Sequence, residues 1–207
     1  MALSGLFLVF FLAQHFTINV TSVLAPDTFN EWSHFMGYNG LVQFILQPVL
    51  IAGVIVHFVM GIVLELQNNK ARAIKYKKYS GGANAPWVSR NMIITGLVVL
   101  AFVGLHMYDF WIHEMDYKYV TGSPEDPTRY YEETVHKFEP FWRTILYVIS
   151  FVLLALHLWH GFASSFQTMG VNNKYTPAIQ TFTKIYAIAI PVGFIFIALY
   201  HHFNQIT

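Results

Sequence analysis

The chain has 207 residues, of which 55% are hydrophobic, 17% aromatic and only 11% charged. This composition is typical of integral membrane proteins and argues against a soluble domain or a nucleic-acid binder. The sequence has no cysteine and a net charge of +1, so disulfides, iron-sulfur clusters and thiolate metal sites are excluded within this chain.

Five apolar stretches are each long enough to cross a bilayer, which takes ~20 residues at ~1.5 Å rise per residue. They predict an all-α integral membrane bundle of five transmembrane helices, forming a single membrane domain over residues 1–207. The predicted helices cover about residues 1–24, 41–66, 91–115, 141–167 and 178–203. The first has no signal-peptide cleavage site, so we expect a permanent helix. Its abrupt apolar beginning leaves open a natural start upstream of Met1.

Turn-forming residues and charges separate these stretches. Pro26 and Asp27 are expected to end the first helix before a polar, aromatic connection, and Pro48 is expected to kink the second. Residues 116–140 are expected to form an acidic, turn-rich loop. Eight of the twelve Lys and Arg residues lie between the second and third helices or near the start of the fifth. The positive-inside rule therefore predicts a cytoplasmic amino terminus and an outside carboxyl terminus.

Four of the predicted helices carry histidines whose depths match in pairs. His15 and His106 each lie nine residues before the outer end of their helix, and His57 and His157 each lie ten residues before the inner end. At ~1.5 Å per residue, each is ~14 to 15 Å from that end, giving two levels in a core ~30 Å thick. A histidine in hydrocarbon is costly and indicates function, the alternative being a hydrogen bond to a neighbouring helix.

Two imidazoles facing each other provide the axial ligands of a six-coordinate haem iron and leave no open position for substrate. The two levels therefore predict two haems in series and an electron-transfer function. Met60 and Met107 are more typical of packing, although a haem with one histidine and one methionine ligand stays open.

Two glycines follow the inner histidines on the same helical face. Gly61 comes four residues after His57, and Gly161 comes four residues after His157. Without a side chain, these positions would let a porphyrin edge approach the backbone. Close helix packing is the alternative explanation.

The remaining histidines receive minor roles. His113 lies almost at the interface and His160 about a turn below His157, so both are candidates for contacts around a haem or with its propionates. His201 and His202 close the last helix, where we expect an ordinary interfacial role.

A membrane cytochrome needs a mobile electron carrier, and in lipid this is usually a quinone. The connection after the first helix offers Asp27, Glu31 and His34 beside Trp32, near the outer histidine level. A carboxylate there could exchange quinol protons with the outer solvent. The alternative is that these are solvated loop acids.

Three segments, MALSGLFLVFFLAQHFTIN, VHFVMGIVLELQNNKAR and HLWHGFASSFQTMGVN, resemble the dihaem cytochrome b membrane anchor of succinate dehydrogenase and fumarate reductase, in its single-chain five-helix form. The similarity covers nearly the whole chain. It implies that His15 and His106 bind the distal haem, and that His57 and His157 bind the proximal one.

The resemblance also implies partners in a bacterial cytoplasmic membrane. A flavoprotein with covalent FAD and an iron-sulfur subunit would dock on the cytoplasmic face, near the basic link from Lys70 to Arg90 and near Lys174. Menaquinone would be the carrier. Some fumarate-reducing members have a glutamate where this chain has Ala155, which favours succinate oxidation. The physiological direction, the haem potentials, the quinone species and the number of complexes per assembly stay open.

Two other functions compete with this one. The first is the cytochrome b subunit of another membrane oxidoreductase, such as a nitrate reductase, hydrogenase or formate dehydrogenase. The second is a transporter whose histidines relay protons. The lack of inverted repeats and of acids deep in the helices argues against a transporter.

Overall fold

The computed structural model describes residues 1–71 and 92–205, and within these residues it contains helices and no strand. Five helices are long and apolar enough to cross a membrane: α1 (Ala2–Leu24), α3 (Val42–Lys70), α4 (Met92–Val120), α6 (Phe141–Thr168) and α7 (Thr176–Phe203). Two shorter helices are α2 (Pro26–Tyr38) and α5 (Arg129–Phe138). The predicted helical architecture is thus confirmed in the described part of the chain and indicates a multi-pass membrane protein.

The side of the membrane on which each terminus lies stays a prediction, as does the single domain. Most of the basic residues in the predicted cytoplasmic link lie outside the described residues, namely Arg72, Lys75, Lys77, Lys78 and Arg90.

The first helix ends just before Pro26 and Asp27, as expected, and the polar, aromatic connection that follows is itself helical. Pro26 occupies the first turn of α2, where a missing N–H costs nothing and the fixed φ suits a helix. The bend falls on Ala25, whose extended backbone has φ −157° and ψ 80°. Pro26 therefore separates two helices and begins the second.

The predicted loop over residues 116–140 is also largely helical. After Met115 the sequence has no Gly or Pro before Gly122, so α4 continues to Val120. After a short turn, the ten residues of α5 follow.

One end of the bundle, here called the cap end, is covered by α2, α5 and the last turns of α4. The Glu114 carboxylate accepts hydrogen bonds from Arg129, from Lys118 Nζ at 2.5 Å and from the Tyr130 hydroxyl at 3.3 Å. Lys118 Nζ also donates to the carbonyl of Gly37 in α2. Burial and the nearby Glu114 charge raise the pKa of Tyr130, so its hydroxyl remains a donor. This network joins three helices across the cap end. The opposite end, where α3 ends, α4 begins and residues 169–175 connect α6 to α7, is called the link end.

The densest packing lies between α5, α6 and α7, where a cluster of buried apolar side chains contains Phe138, Tyr147, Phe151, Phe194, Ile197 and Ala198. Helix α1 lies close to α3 and α7 at glycines of those two helices. A Cβ at Gly53 would lie 2.7 Å from the Phe7 ring, and one at Gly193 would overlap the Phe16 ring. Because lipid is as apolar as the helices, such close contacts, rather than a hydrophobic driving force, hold the bundle together.

Irregular π-helical turns interrupt two of the long helices. One, Val42–Leu46, lies just before Pro48, whose missing N–H perturbs the hydrogen bonding of the preceding turn. Another, Met107–Ile112, begins directly after His106. Such turns occur frequently at functional sites.

Candidate functional site

Four histidines from four helices form two facing pairs. His15 on α1 and His106 on α4 have ring centres 5.5 Å apart and ring planes at 83°, and are called the cap-side pair. His57 on α3 and His157 on α6 have ring centres 6.4 Å apart and planes at 78°, and are called the link-side pair. The structure therefore brings together the same partners that helix depth had paired. Their role as iron ligands stays a prediction.

Hydroxyl groups orient both rings of the link-side pair. Ser4 Oγ lies 3.3 Å from His57 Nδ1, and Thr95 Oγ1 lies 3.2 Å from His157 Nδ1. Each hydroxyl also donates its hydrogen to a carbonyl of its own chain segment, at 2.8 Å and 3.0 Å respectively. A hydroxyl has one hydrogen, so its oxygen must accept from the imidazole N–H. Nδ1 is thus protonated in both rings, and Nε2 keeps the lone pair that a metal requires.

Glycines on neighbouring helices lie against the same two rings. A Cβ at Gly5 would be 3.3 Å from His57 Cε1, and a Cβ at Gly96 would be 3.5 Å from His157 Cε1. The imidazoles therefore pack almost directly on helix backbone. This close contact and the hydroxyl bond together restrict the orientation of each ring.

The cap-side pair has a more aromatic environment. His15 stacks on Phe11, with ring centres 5.4 Å apart, and lies 5.7 Å from the Phe194 ring. Asn19 Nδ2 donates to the backbone carbonyl of His15 and lies 3.4 Å from its Nδ1. His106 Nδ1 is buried and has no hydrogen-bond partner in the part of the chain that the structure describes. In contrast to the link-side pair, one ring of the cap-side pair thus has an Nδ1 atom that no described residue hydrogen-bonds.

The spacing of the pairs is compatible with one metal held between two imidazoles. Bonds of roughly 2.0–2.1 Å, with about 1.1 Å from nitrogen to ring centre, place the two ring centres about 6.3 Å apart. The link-side pair matches this at 6.4 Å. The cap-side rings, at 5.5 Å, would need to separate by roughly 0.8 Å to reach that spacing.

The donor set also suits a haem. No group of three or more His, Cys, Asp or Glu side chains among the described residues could hold a metal ion. Two imidazoles are enough when a porphyrin supplies the other four nitrogen ligands. Together with the tautomers of the link-side pair, this donor set fits a bis-histidine haem.

Gly61 and Gly161 have open surroundings rather than tight helix contacts. Within 4 Å, a Cβ at Gly61 would meet only the Met1 Cε among the described residues, and one at Gly161 only the Met92 Cε. Both neighbours are ends of flexible side chains. Close helix packing therefore does not explain these glycines, and the predicted approach of a flat ligand remains compatible with them.

The two histidines predicted to lie around the haems have different positions. His160 is half-buried on α6, one turn after His157. His113 is 42% exposed and lies 3.8 Å from a Glu133 carboxylate oxygen at the cap end. Neither is among the aromatic neighbours of the two histidine pairs in the described residues.

The predicted quinone residues lie on α2 and do not converge on one point. Asp27 and Glu31 are exposed. His34 Nε2 lies 2.9 Å from Glu125 Oε1, and its ring stacks on Tyr38. His34 is therefore engaged with the loop that follows α4.

An open cleft of about 380 Å³ lies between α1 and α2. Its walls are formed by Gln14, Thr17, Ile18, Trp32, Phe35 and Met36. Gln14 directly precedes His15, and Trp32 directly follows Glu31. The cleft thus combines apolar and aromatic walls with two small polar groups, a common composition for a small-molecule site.

Two buried polar residues differ from what the sequence predicts. Asp109 is fully buried in α4, which contradicts the expectation that no acid lies deep in a helix. His201 is also fully buried, with its Nε2 2.8 Å from Ser22 Oγ, so it is not the surface residue that we expected at the end of the last helix. His201 shares a helix face with Phe194, Ile197 and Ala198, and this spacing could have predicted its burial. For Asp109 the available signal was an acid within an apolar stretch.

Comparison of the chain with protein-family models, with curated proteins and with solved structures found no match.

Proposed function

We propose that this chain is the membrane-anchor cytochrome b subunit of a succinate:quinone oxidoreductase. It would transfer electrons between menaquinone and the iron-sulfur subunit of a succinate dehydrogenase or fumarate reductase. Catalysis on the dicarboxylate, covalent FAD and the iron-sulfur clusters would belong to partner subunits on the cytoplasmic face of a bacterial membrane. The segments that resemble this family support the choice of partner.

One observation carries the electron-transfer part of the proposal: two pairs of facing histidines from four helices of membrane-spanning length. Two b haems, bound one per pair, would supply the one-electron redox chemistry. Ser4 and Thr95 would hold the link-side imidazoles with Nε2 free for iron. With both axial positions taken by imidazole, neither site would leave a position for oxygen or substrate.

The surrounding residues would keep water away from the cap-side site. Phe11, Phe194 and Phe110 contact its two rings. The ion pairs around Glu114 fix the helices that cover this end. A dry site strengthens electrostatic effects on a redox centre.

The quinone would bind in the cleft between α1 and α2, next to His15. Trp32 and Phe35 offer aromatic faces for a quinone ring, and Gln14 and Thr17 offer hydrogen bonds to its oxygens. The exposed Asp27 and Glu31 lie on the same short helix as Trp32 and Phe35. They are candidates to exchange the quinol protons.

The decisive experiment is a reduced-minus-oxidised optical spectrum of the purified membrane complex, with haem quantified per copy of this chain. About two low-spin b haems are expected from two bis-histidine sites. Absence of haem would contradict the proposal and return the histidines to a packing or proton-relay role. Subunits that copurify would separate this function from a cytochrome b of a nitrate reductase, hydrogenase or formate dehydrogenase.

A further inference from the structure

A buried ion pair with a hydrogen-bonded tyrosine lies beside the cap-side pair. The Asp109 side chain has no solvent exposure. Arg143 Nη1 donates to its Oδ1 at 2.6 Å, and the Tyr147 hydroxyl donates to its Oδ2 at 2.8 Å. We call these three residues the Asp109 cluster.

The cluster contacts the cap-side pair directly. Tyr147 lies edge-on to the His106 ring, with ring centres 6.4 Å apart. Asp109 follows His106 by three residues and lies in the π-helical turn Met107–Ile112 that begins after this histidine. His106, a proposed iron ligand, and the buried Asp109 carboxylate are therefore less than one helical turn apart along α4.

The link-side pair has a different electrostatic environment. The Nδ1 atom of each imidazole lies beside a neutral hydroxyl, of Ser4 or of Thr95, and the charge that acts on His57 is the amino-terminal ammonium group of Met1. In the described part of the chain, neither ring bonds to a carboxylate or a guanidinium group. The two sites have similar ligands but differ in the charges near them.

We propose that the Asp109 cluster sets the midpoint potential of the cap-side haem and so makes it differ from that of the link-side haem. This inference rests on the proposed function. An oxidised bis-histidine haem carries one more positive charge than the reduced form. A nearby carboxylate therefore stabilises the oxidised form, and a nearby guanidinium stabilises the reduced form. Arg143 and Tyr147 compensate most of the Asp109 charge and hold it in place.

The test is a potentiometric titration of both haems in the assembled complex. Asp109→Asn leaves Arg143 uncompensated, so the cap-side potential should rise. Adding Arg143→Gln to this variant removes the second charge, so the potential should return toward the original value. Tyr147→Phe keeps both charges and removes one compensating hydrogen bond, so the cap-side potential should fall. A purely structural role would not produce shifts of opposite sign or the restoration by the second substitution.

Two controls assign and calibrate the shifts. Thr95→Val acts on His157 alone and identifies the link-side component. Asp116→Asn makes the same chemical change at an exposed position seven residues further along α4, and should move neither component. An unchanged cap-side potential in Asp109→Asn, or equal shifts of both haems, would overturn the inference. If the Asp109→Asn variant does not assemble, an unchanged cap-side haem potential in Tyr147→Phe would overturn the inference instead. Failure of the proposed function is distinct, because then no pair of haem transitions would be observed.

Discussion

Thr95 controls the hydrogen-bonding state of one proposed ligand. Its hydroxyl donates to its own helix and therefore accepts from His157 Nδ1–H, which increases electron density on Nε2. Thr95→Val should raise the link-side haem potential and leave the cap-side one unchanged, as a potentiometric titration can measure. The unpaired Nδ1–H should also cost about 1–3 kcal/mol of stability. Thr183→Val is a matched control, since Thr183 is equally buried and donates to Gln180 O, a carbonyl of its own helix. A shift of both haems would contradict this role.

His57 should be indispensable for one haem only. His57→Ala removes one of the two link-side imidazoles, so the spectrum should lose the low-spin signal of that haem while the cap-side signal remains. Added imidazole should restore part of the link-side low-spin signal, because removal of the His57 ring leaves room between α1 and α3 beside Gly5. His160→Gln, on the same helix as the partner ligand, should retain both haems. Two fully low-spin haems in His57→Ala without imidazole would refute the assignment.

At the scale of elements, the short helix α2 forms one wall of the proposed quinone cleft. Trp32 is 39% exposed and lines the cleft, where its ring can pack on a quinone. Trp32→Leu should raise KM for quinol several-fold, equivalent to losing about 1 kcal/mol of aromatic contact, and should leave the haem spectrum unchanged. Steady-state quinol or quinone kinetics would measure this.

The matched control for that prediction is Phe10→Leu. Phe10 lies on α1, is 74% exposed and does not line the cleft. The Phe10→Leu variant should have the same KM for quinol as the unaltered protein. A similar increase in both variants would mean that the kinetics report a general loss of packing and would reject the cleft as the quinone site.

The same short helix shows where prediction from sequence fails. Pro26 was interpreted as a helix breaker, but proline is equally suited to the first turn of a helix. Sequence alone does not distinguish the two, because the difference depends on whether the following residues can pack. Phe29 and Gly37 of α2 are buried in the fold, and a Cβ at Gly37 would approach Glu114 Oε1 to 2.8 Å. The tertiary contacts of the cap end thus determine that the segment is helical.

At the scale of the whole molecule, the histidine pairs were predictable because depth in a membrane helix follows from counting residues at ~1.5 Å each. The count from the predicted helix ends gave the partners that the structure brings together, although α3 and α4 end later than predicted, at Lys70 and Val120, which places His57 and His106 13 and 14 residues before those ends. The Asp109 cluster was not predictable in the same way. Its acid and base are 34 residues apart in sequence, and only the packing of α4 against α6 makes them partners. Rotation about the helix axis, unlike depth, depends on neighbouring helices.

The orientation of the bundle is a further property of the whole chain. Among the described residues, Lys70 and Lys174 lie toward the link end. Acidic residues are concentrated near the cap end, so the link end should face the cytoplasm. Because these 207 residues contain no cysteine, a single cysteine introduced into them can report sidedness without background from the rest of the sequence. Pro127 and Asn172 are exposed positions at the cap end and the link end respectively.

In intact cells stripped of any outer membrane, Pro127→Cys should react with a membrane-impermeant maleimide, and Asn172→Cys should react only after permeabilisation. The cysteine-free chain provides the blank for both. The opposite labelling pattern would invert the bundle, placing the link-side pair near the outside and separating it from soluble partners in the cytoplasm. Electrons from a cytoplasmic iron-sulfur subunit would then enter at the cap-side pair. The labelling pattern therefore determines which of the two haems could receive electrons first.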